Sequence, residues 1–133
     1  KGSKVVRCLF AVQEDEARIL LAPLRVVEVG NGTVLESRVC MSGTTECGSE
    51  FARWSDGRVE KIADHTVSEI RSQLAKGYDL STNPEINLPQ LSGQGKAATR
   101  SDAECCPSAT IAFKVRLDGT ELHVEDVQFR RER

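Results

Sequence analysis

Tight-turn signals set between stretches of alternating apolar and polar residues constrain this chain more than any other feature: Gly30-Asn31-Gly32, Ser55-Asp56-Gly57 and Asp118-Gly119. Asn-Gly and Asp-Gly tolerate the positive φ that the shortest hairpin turns demand, so each predicts a pair of neighbouring antiparallel strands. The pairs are residues 24–29 with 33–40, residues 50–54 with 58–62, and the run from Ile111 to Asp118 with residues 120–129. In the last pair, Leu122 and Val124 keep one phase while Val127 and Phe129 keep the other, which predicts a bulge near Glu125-Asp126. Asn31-Gly32-Thr33 also matches a glycan acceptor sequon, but the hairpin turn is the preferred reading.

The N-terminal third reads as further strand. Residues 4–12 are rich in Val, Leu and Phe with little alternation, and Gln13-Glu14-Asp15-Glu16 reads as an acidic turn before a strand over 17–21. A short helix over 14–24 is the alternative, since Ala17, Leu20, Leu21 and Leu24 fall at helical spacing, with Pro23 limiting its length. One clear helix is expected over 67–76. Thr66 would be its N-cap and Glu69 the capping-box partner, with Val67, Ile70 and Leu74 as the apolar stripe and Gly77 as the stop. His65 then reads as a surface or staple residue, and Glu69, Arg71 and Lys76 as a solvated face. Between 78 and 100 the composition shifts to Ser, Thr, Asn, Pro, Gly and Gln, which reads as a long irregular segment with a short edge strand. Ile86, Leu88 and Leu91 would bury it, and its polar rim is the expected place for a binding site. The expected fold is therefore α+β: one domain over 1–133, an antiparallel hairpin-dominated sheet with one capped helix packed on it.

At 133 residues, with 18 Lys+Arg against 20 Asp+Glu and a net charge of −2, the chain is not a strongly basic nucleic-acid binder. Its longest apolar run is far short of the roughly 18–20 residues that cross a bilayer. The cysteines say more. Cys8, Cys40, Cys47, Cys105 and Cys106 are many for a reduced cytosolic domain of this size. The short Gly/Thr-rich stretch between Cys40 and Cys47 would let those two reach bonding range. Adjacent side chains on an extended strand point to opposite sides, so one of Cys105 and Cys106 is expected to reach Cys8 or the loop cysteines while the other packs as a small hydrophobe. Structural zinc knuckles place ligand pairs about two to four residues apart, a spacing these cysteines lack.

No phosphate-binding loop, dinucleotide fingerprint, zinc-protease helix or nucleophile elbow is present, and Ser92-Gly93-Gln94-Gly95-Lys96 reads as a flexible turn. The supply of catalytic groups is thin, with His65 and His123 outside any recognisable motif, so no catalytic, cofactor or metal-ligating set is assigned. Trp54 reads as a core or sheet-face anchor, with a ligand platform as the alternative, and Trp54 and Tyr78 are the candidate ligand or partner surface.

Asp102-Ala103-Glu104-Cys105-Cys106-Pro107-Ser108, followed by an alternating strand and an Asp-Gly turn, resembles the D-A-x-C-C-P-S signature of exported bacterial proteins such as the LppP/LprE lipoprotein family. Ala109 stands where that family commonly carries glycine, and no lipobox precedes the signature, so lipidation is not carried over. The resemblance implies a small non-catalytic sheet domain, exported to the periplasm, envelope or medium, with a leader outside this sequence. The leading expectation is thus an exported domain with a binding or structural role toward an unspecified ligand or protein partner. Two others compete with it. One is a small enzyme or metal-dependent protein using His65, His123 or the cysteines in a pocket beneath the 78–100 segment; the other is a cytosolic partner-binding module with all its cysteines reduced.

Overall fold

The structure is a computed structural model that describes residues 10–15, 18–30, 32–40 and 47–132. Cys8 and residues 4–9 of the first expected strand lie outside the described residues. The chain divides into two compact units, Lys1–Ile62 and Ala63–Arg133.

The first unit is an antiparallel meander in which each strand lies beside its predecessor: β1 (Phe10–Asp15), β2 (Arg18–Val29), β3 (Gly32–Cys40), β4 (Cys47–Ser55) and β5 (Arg58–Lys61). Asp15 pairs with Arg18, so Gln13, Glu14 and Asp15 belong to a strand rather than to a turn, and the helical alternative over 14–24 does not form. Pro23 is accommodated because it sits where β2 changes partner: it faces Phe10 at the end of the β1 ladder, and the β3 ladder begins one residue later at Leu24. The expected turns are in place, with positive φ at Gly30 and at both Asp56 and Gly57. Val27 and Val34 face each other across β2 and β3, and they are buried together with Phe51 on the same side of the sheet.

The second unit contains β6 (Ala63–Asp64), α1 (Thr66–Gln73), β7 (Asp79–Leu80), β8 (Glu85–Asn87), a 3-10 turn (Leu88–Gln90), β9 (Ser92–Ala98), β10 (Ala109–Asp118) and β11 (Glu121–Arg131). The sheet runs β6-β11-β10-β9-β7, with β8 also on β9. Only β6 on β11 is parallel among these pairs. Ala109, Ile111, Phe113 and Val115 alternate into the core, where Leu122, Leu88 and Ile70 join them. The bulge lies opposite Phe113: pairing jumps from Ala112–Gln128 to Lys114–Glu125, and Asp126 takes φ 50°.

The α+β expectation is corrected to a β-dominated fold: most of the described residues lie in strands, and among them there is one short α-helix. Three physical causes account for the difference. First, the helix stops at Gln73, because Leu74 turns extended, and of its apolar stripe only Ile70 is fully buried. Second, the capping box does not form. His65 takes the N-cap position without a side-chain bond, while Asp64 Oδ1 accepts from both the Thr66 backbone N–H (2.8 Å) and its hydroxyl (2.5 Å). Third, the 78–100 segment is mostly sheet. β9 is an interior strand with β10 on one side and β7 and β8 on the other, and its glycines, read from sequence as a flexible turn, leave room for side chains of the neighbouring strand.

Candidate functional site

Three places in the second unit concentrate polar chemistry. The first is the cysteine loop after β9. Cys105 and Cys106 are disulfide-bonded to each other, which corrects the expectation that they serve different partners. That expectation assumed extended backbone, whereas a turn closes here, with the Cys106 N–H donating to Ala103 O at 2.8 Å. Asp102 ties the loop's two ends together: one carboxylate oxygen accepts from Ser108 Oγ (2.6 Å), Thr99 N (2.9 Å) and Ser108 N (3.2 Å). Those bonds, led by the Ser108 hydroxyl, hold the Asp102 carboxyl below its ordinary value of 3.8. Cys40 and Cys47 face each other as backbone partners across β3 and β4.

A depressed carboxylate stabilises the folded loop at any pH above its unfolded value, and that contribution is lost as pH falls through the lowered folded value. On acidification, the Thr99 and Ser108 amide resonances are therefore expected to move together at a pH below 3.8. Asp102→Asn should abolish that step and raise the exchange rates of both amides at neutral pH.

The second place is a side-chain cluster built by the β6–α1 junction and β11. Parallel pairing sets Ala63 and Asp64 beside Glu121 and Leu122, and the His65 backbone N–H continues the ladder to Leu122 O at 3.0 Å. On β11, Glu121 and His123 are two residues apart and so share a face. The His65 and His123 rings stack with centroids 4.9 Å apart and planes 11° from parallel. His65 Nε2 lies 3.0 Å from Glu121 Oε1, and His123 Nδ1 lies 2.7 Å from Glu69 Oε2. The other Glu69 oxygen accepts the Val124 backbone N–H at 2.8 Å. The hydrogen bond from His123 holds the Glu69 carboxyl below its ordinary value, with the Val124 bond adding to it against the opposing cost of burial. An ionised carboxylate only accepts, so Nδ1 of His123 donates to Glu69, and Nε2 is the ring nitrogen that this bond does not engage.

Sequence reasoning placed Glu69 as a capping partner on a solvated face, and the structure turns it onto β11 instead. Glu121 was not singled out at all. The legible signal was the i, i+2 pair Glu121 and His123 on a strand, but nothing along the chain tells which distant histidine it meets.

The third place is an open trough of about 690 Å³ on the exposed face of β9, β10 and β11, walled by the chain between β7 and β8. Two cross-strand rows form its floor: Lys96–Thr110–Arg130 and Gln94–Ala112–Gln128. Thr82, Asn83 and Glu85 rise at its side. The 78–100 segment therefore does supply a polar rim, but the trough's lining includes neither His65, His123 nor a cysteine.

The remaining candidates are separate. Trp54 is 46% exposed on β4 beside Val59, its partner on β5, so it is a sheet-face residue and not part of the core. Tyr78 is half-buried, edge-on to Phe129 with the Arg131 guanidinium 5.7 Å from its ring centroid, and its hydroxyl sits 3.4 Å from Ser108 Oγ, against the cysteine loop. Among the described residues, no helix is long and apolar enough to cross a membrane. The chain matches no family model, no curated protein and no solved structure.

Proposed function

We propose that this chain is an exported domain of the bacterial envelope or medium, similar in kind to the LppP/LprE lipoproteins, that acts by binding rather than by catalysis. The observation that carries the reading is the Cys105–Cys106 disulfide inside the very segment that resembles that family. Disulfides persist in oxidising compartments and are rare where thiols are kept reduced. The trough supports the binding half of the reading. Its lining offers amides, hydroxyls, two cations and one carboxylate, which suits a hydrophilic ligand or an extended polar peptide held by hydrogen bonds and charge.

Trapping thiols with an alkylating agent in the producing cells, followed by intact mass before and after reduction, tests the compartment. The expected result is two protected cysteines, Cys105 and Cys106, or four if Cys40 and Cys47 are also bonded. Five alkylated thiols would overturn export and favour the cytosolic partner-binding module.

A further inference from the structure

The paired histidines in the second unit have a geometry that plain ion pairing does not require. His65 and His123 both hang from backbone fixed by sheet pairing, their rings stack, and a carboxylate, Glu121, reaches His65 from the same face. One donor atom from each of His65, Glu121 and His123 lies within 4.8 Å of the others. We propose that these three residues form a surface site for a single borderline divalent cation of the zinc type, with Glu69 as the outer carboxylate that orients His123.

Two imidazoles and one carboxylate are a donor set that zinc and its neighbours accept, with water completing the tetrahedron. At metal–ligand bonds of about 2.0–2.2 Å, tetrahedral donors stand about 3.3–3.6 Å apart. His65 and Glu121 are already closer than that, at 3.0 Å. The three donor atoms, all within 4.8 Å of one another, close on one cation through torsions of Glu121, whose side chain is 57% exposed, and of the two imidazoles, which turn out of their near-parallel stack so that each ring plane contains the metal. Metal-bound histidines typically donate their second N–H to a carboxylate, which fixes the tautomer and aims the ring. The Glu69–His123 bond at 2.7 Å is that arrangement, and Glu69 is in turn fixed by the Val124 N–H. The ligand nitrogen of His123 is then Nε2. Glu121 and His65 stay open to solvent, so the cation keeps exchangeable water and is reachable by a ligand. The site does not rest on the export reading, because imidazole and carboxylate ligands do not depend on the redox state of the compartment.

The test uses the full chain with its free thiols alkylated, so that no cysteine competes, and titrates it with Zn²⁺ alone by calorimetry and with Co²⁺ alone by absorption. One equivalent of Zn²⁺ is expected, with Co²⁺ giving the intense visible bands of a tetrahedral site. His65→Ala should weaken binding at least about 100-fold, and Glu69→Gln about 10–100-fold with the stoichiometry unchanged. The wild-type imidazole ¹⁵N resonances provide a check that needs no variant: Zn²⁺ should move those of both histidines. No uptake of Zn²⁺, unchanged affinity in His65→Ala with His123→Gln, or histidine resonances indifferent to added Zn²⁺ would each overturn the proposal.

Discussion

Replacing Ile70 with alanine is expected to destabilise the second unit by about 2–5 kcal/mol, the range for truncating a fully buried aliphatic side chain. Ile70 has no exposed surface and is the one large apolar residue that α1 buries completely. A helix of eight residues is too short to hold itself together in water, where isolated helices below about 12–15 residues are marginal. Its persistence therefore depends on packing against β11, and the truncation removes the main contact. The loss should show as a drop in thermal midpoint of about 4–8 °C per kcal/mol for a unit of this size.

The same change reaches the histidine cluster, because Glu69 lies one residue from Ile70 on the helix and bonds both His123 and the Val124 N–H. Hydrogen exchange at the Val124 amide should therefore accelerate in Ile70→Ala, while amides of the β9–β10 ladder keep their order of protection. If Val124 kept its full protection in a folded Ile70→Ala protein, α1 would be docked by something other than this residue. Glu69→Gln gives the matching local probe, since it leaves Ile70 in place.

How much of this was legible in the sequence follows from the range of each interaction. The hairpins around Gly30, Asp56-Gly57 and Gly119 were readable because turn residues and alternation lie within a few positions of each other. The bulge beside Asp126 was readable for the same reason, since a phase change along β11 is visible from Leu122, Val124, Val127 and Phe129. The capping of α1 was misread: Thr66 and Glu69 have the spacing of a capping box, but Asp64 was near enough to take the Thr66 N–H first, and a strand passing alongside offered Glu69 better partners. The disulfide was misassigned because the rule for adjacent side chains presumes a strand where the chain in fact turns. The cluster of His65, Glu121 and His123 depends on the parallel pairing of a two-residue strand with β11, separated by more than fifty positions, and no local pattern encodes it. The least legible element was β9, and the cause is instructive. Ser92-Gly93-Gln94-Gly95-Lys96-Ala97-Ala98 has almost no β-branched or aromatic content, so propensity argued for a loop. Its strand character is supplied by its neighbours on either side rather than by its own residues.

That dependence makes Gly93→Ala the more informative of the core substitutions. Gly93 pairs directly with Phe113 on β10 and with Ile86 on β8. A Cβ at this position would run into the Phe113 ring and would lie 2.8 Å from the backbone oxygen of Glu85. The ring can tilt, but Phe113 is 3% exposed and has little space to tilt into, and the Glu85 carbonyl belongs to the paired strand itself. Overpacking of this kind costs about 1–3 kcal/mol, more where backbone must move. Gly95→Ala is the internal control: there the new Cβ would meet Ile111 Cδ1 at 3.2 Å, a contact that a side-chain adjustment relieves, so the loss should be smaller. Combining Gly93→Ala with Phe113→Leu separates the two clashes. The pair should be less destabilised than the sum of its members, because the ring no longer opposes the methyl, yet it should remain below the single Phe113→Leu protein because the Glu85 carbonyl still does. Strict additivity would mean that the ring does not constrain position 93. Full recovery to the Phe113→Leu level would mean that β8 yields freely, and Glu85, which β8 carries into the wall of the trough, would then be a movable wall rather than a fixed one.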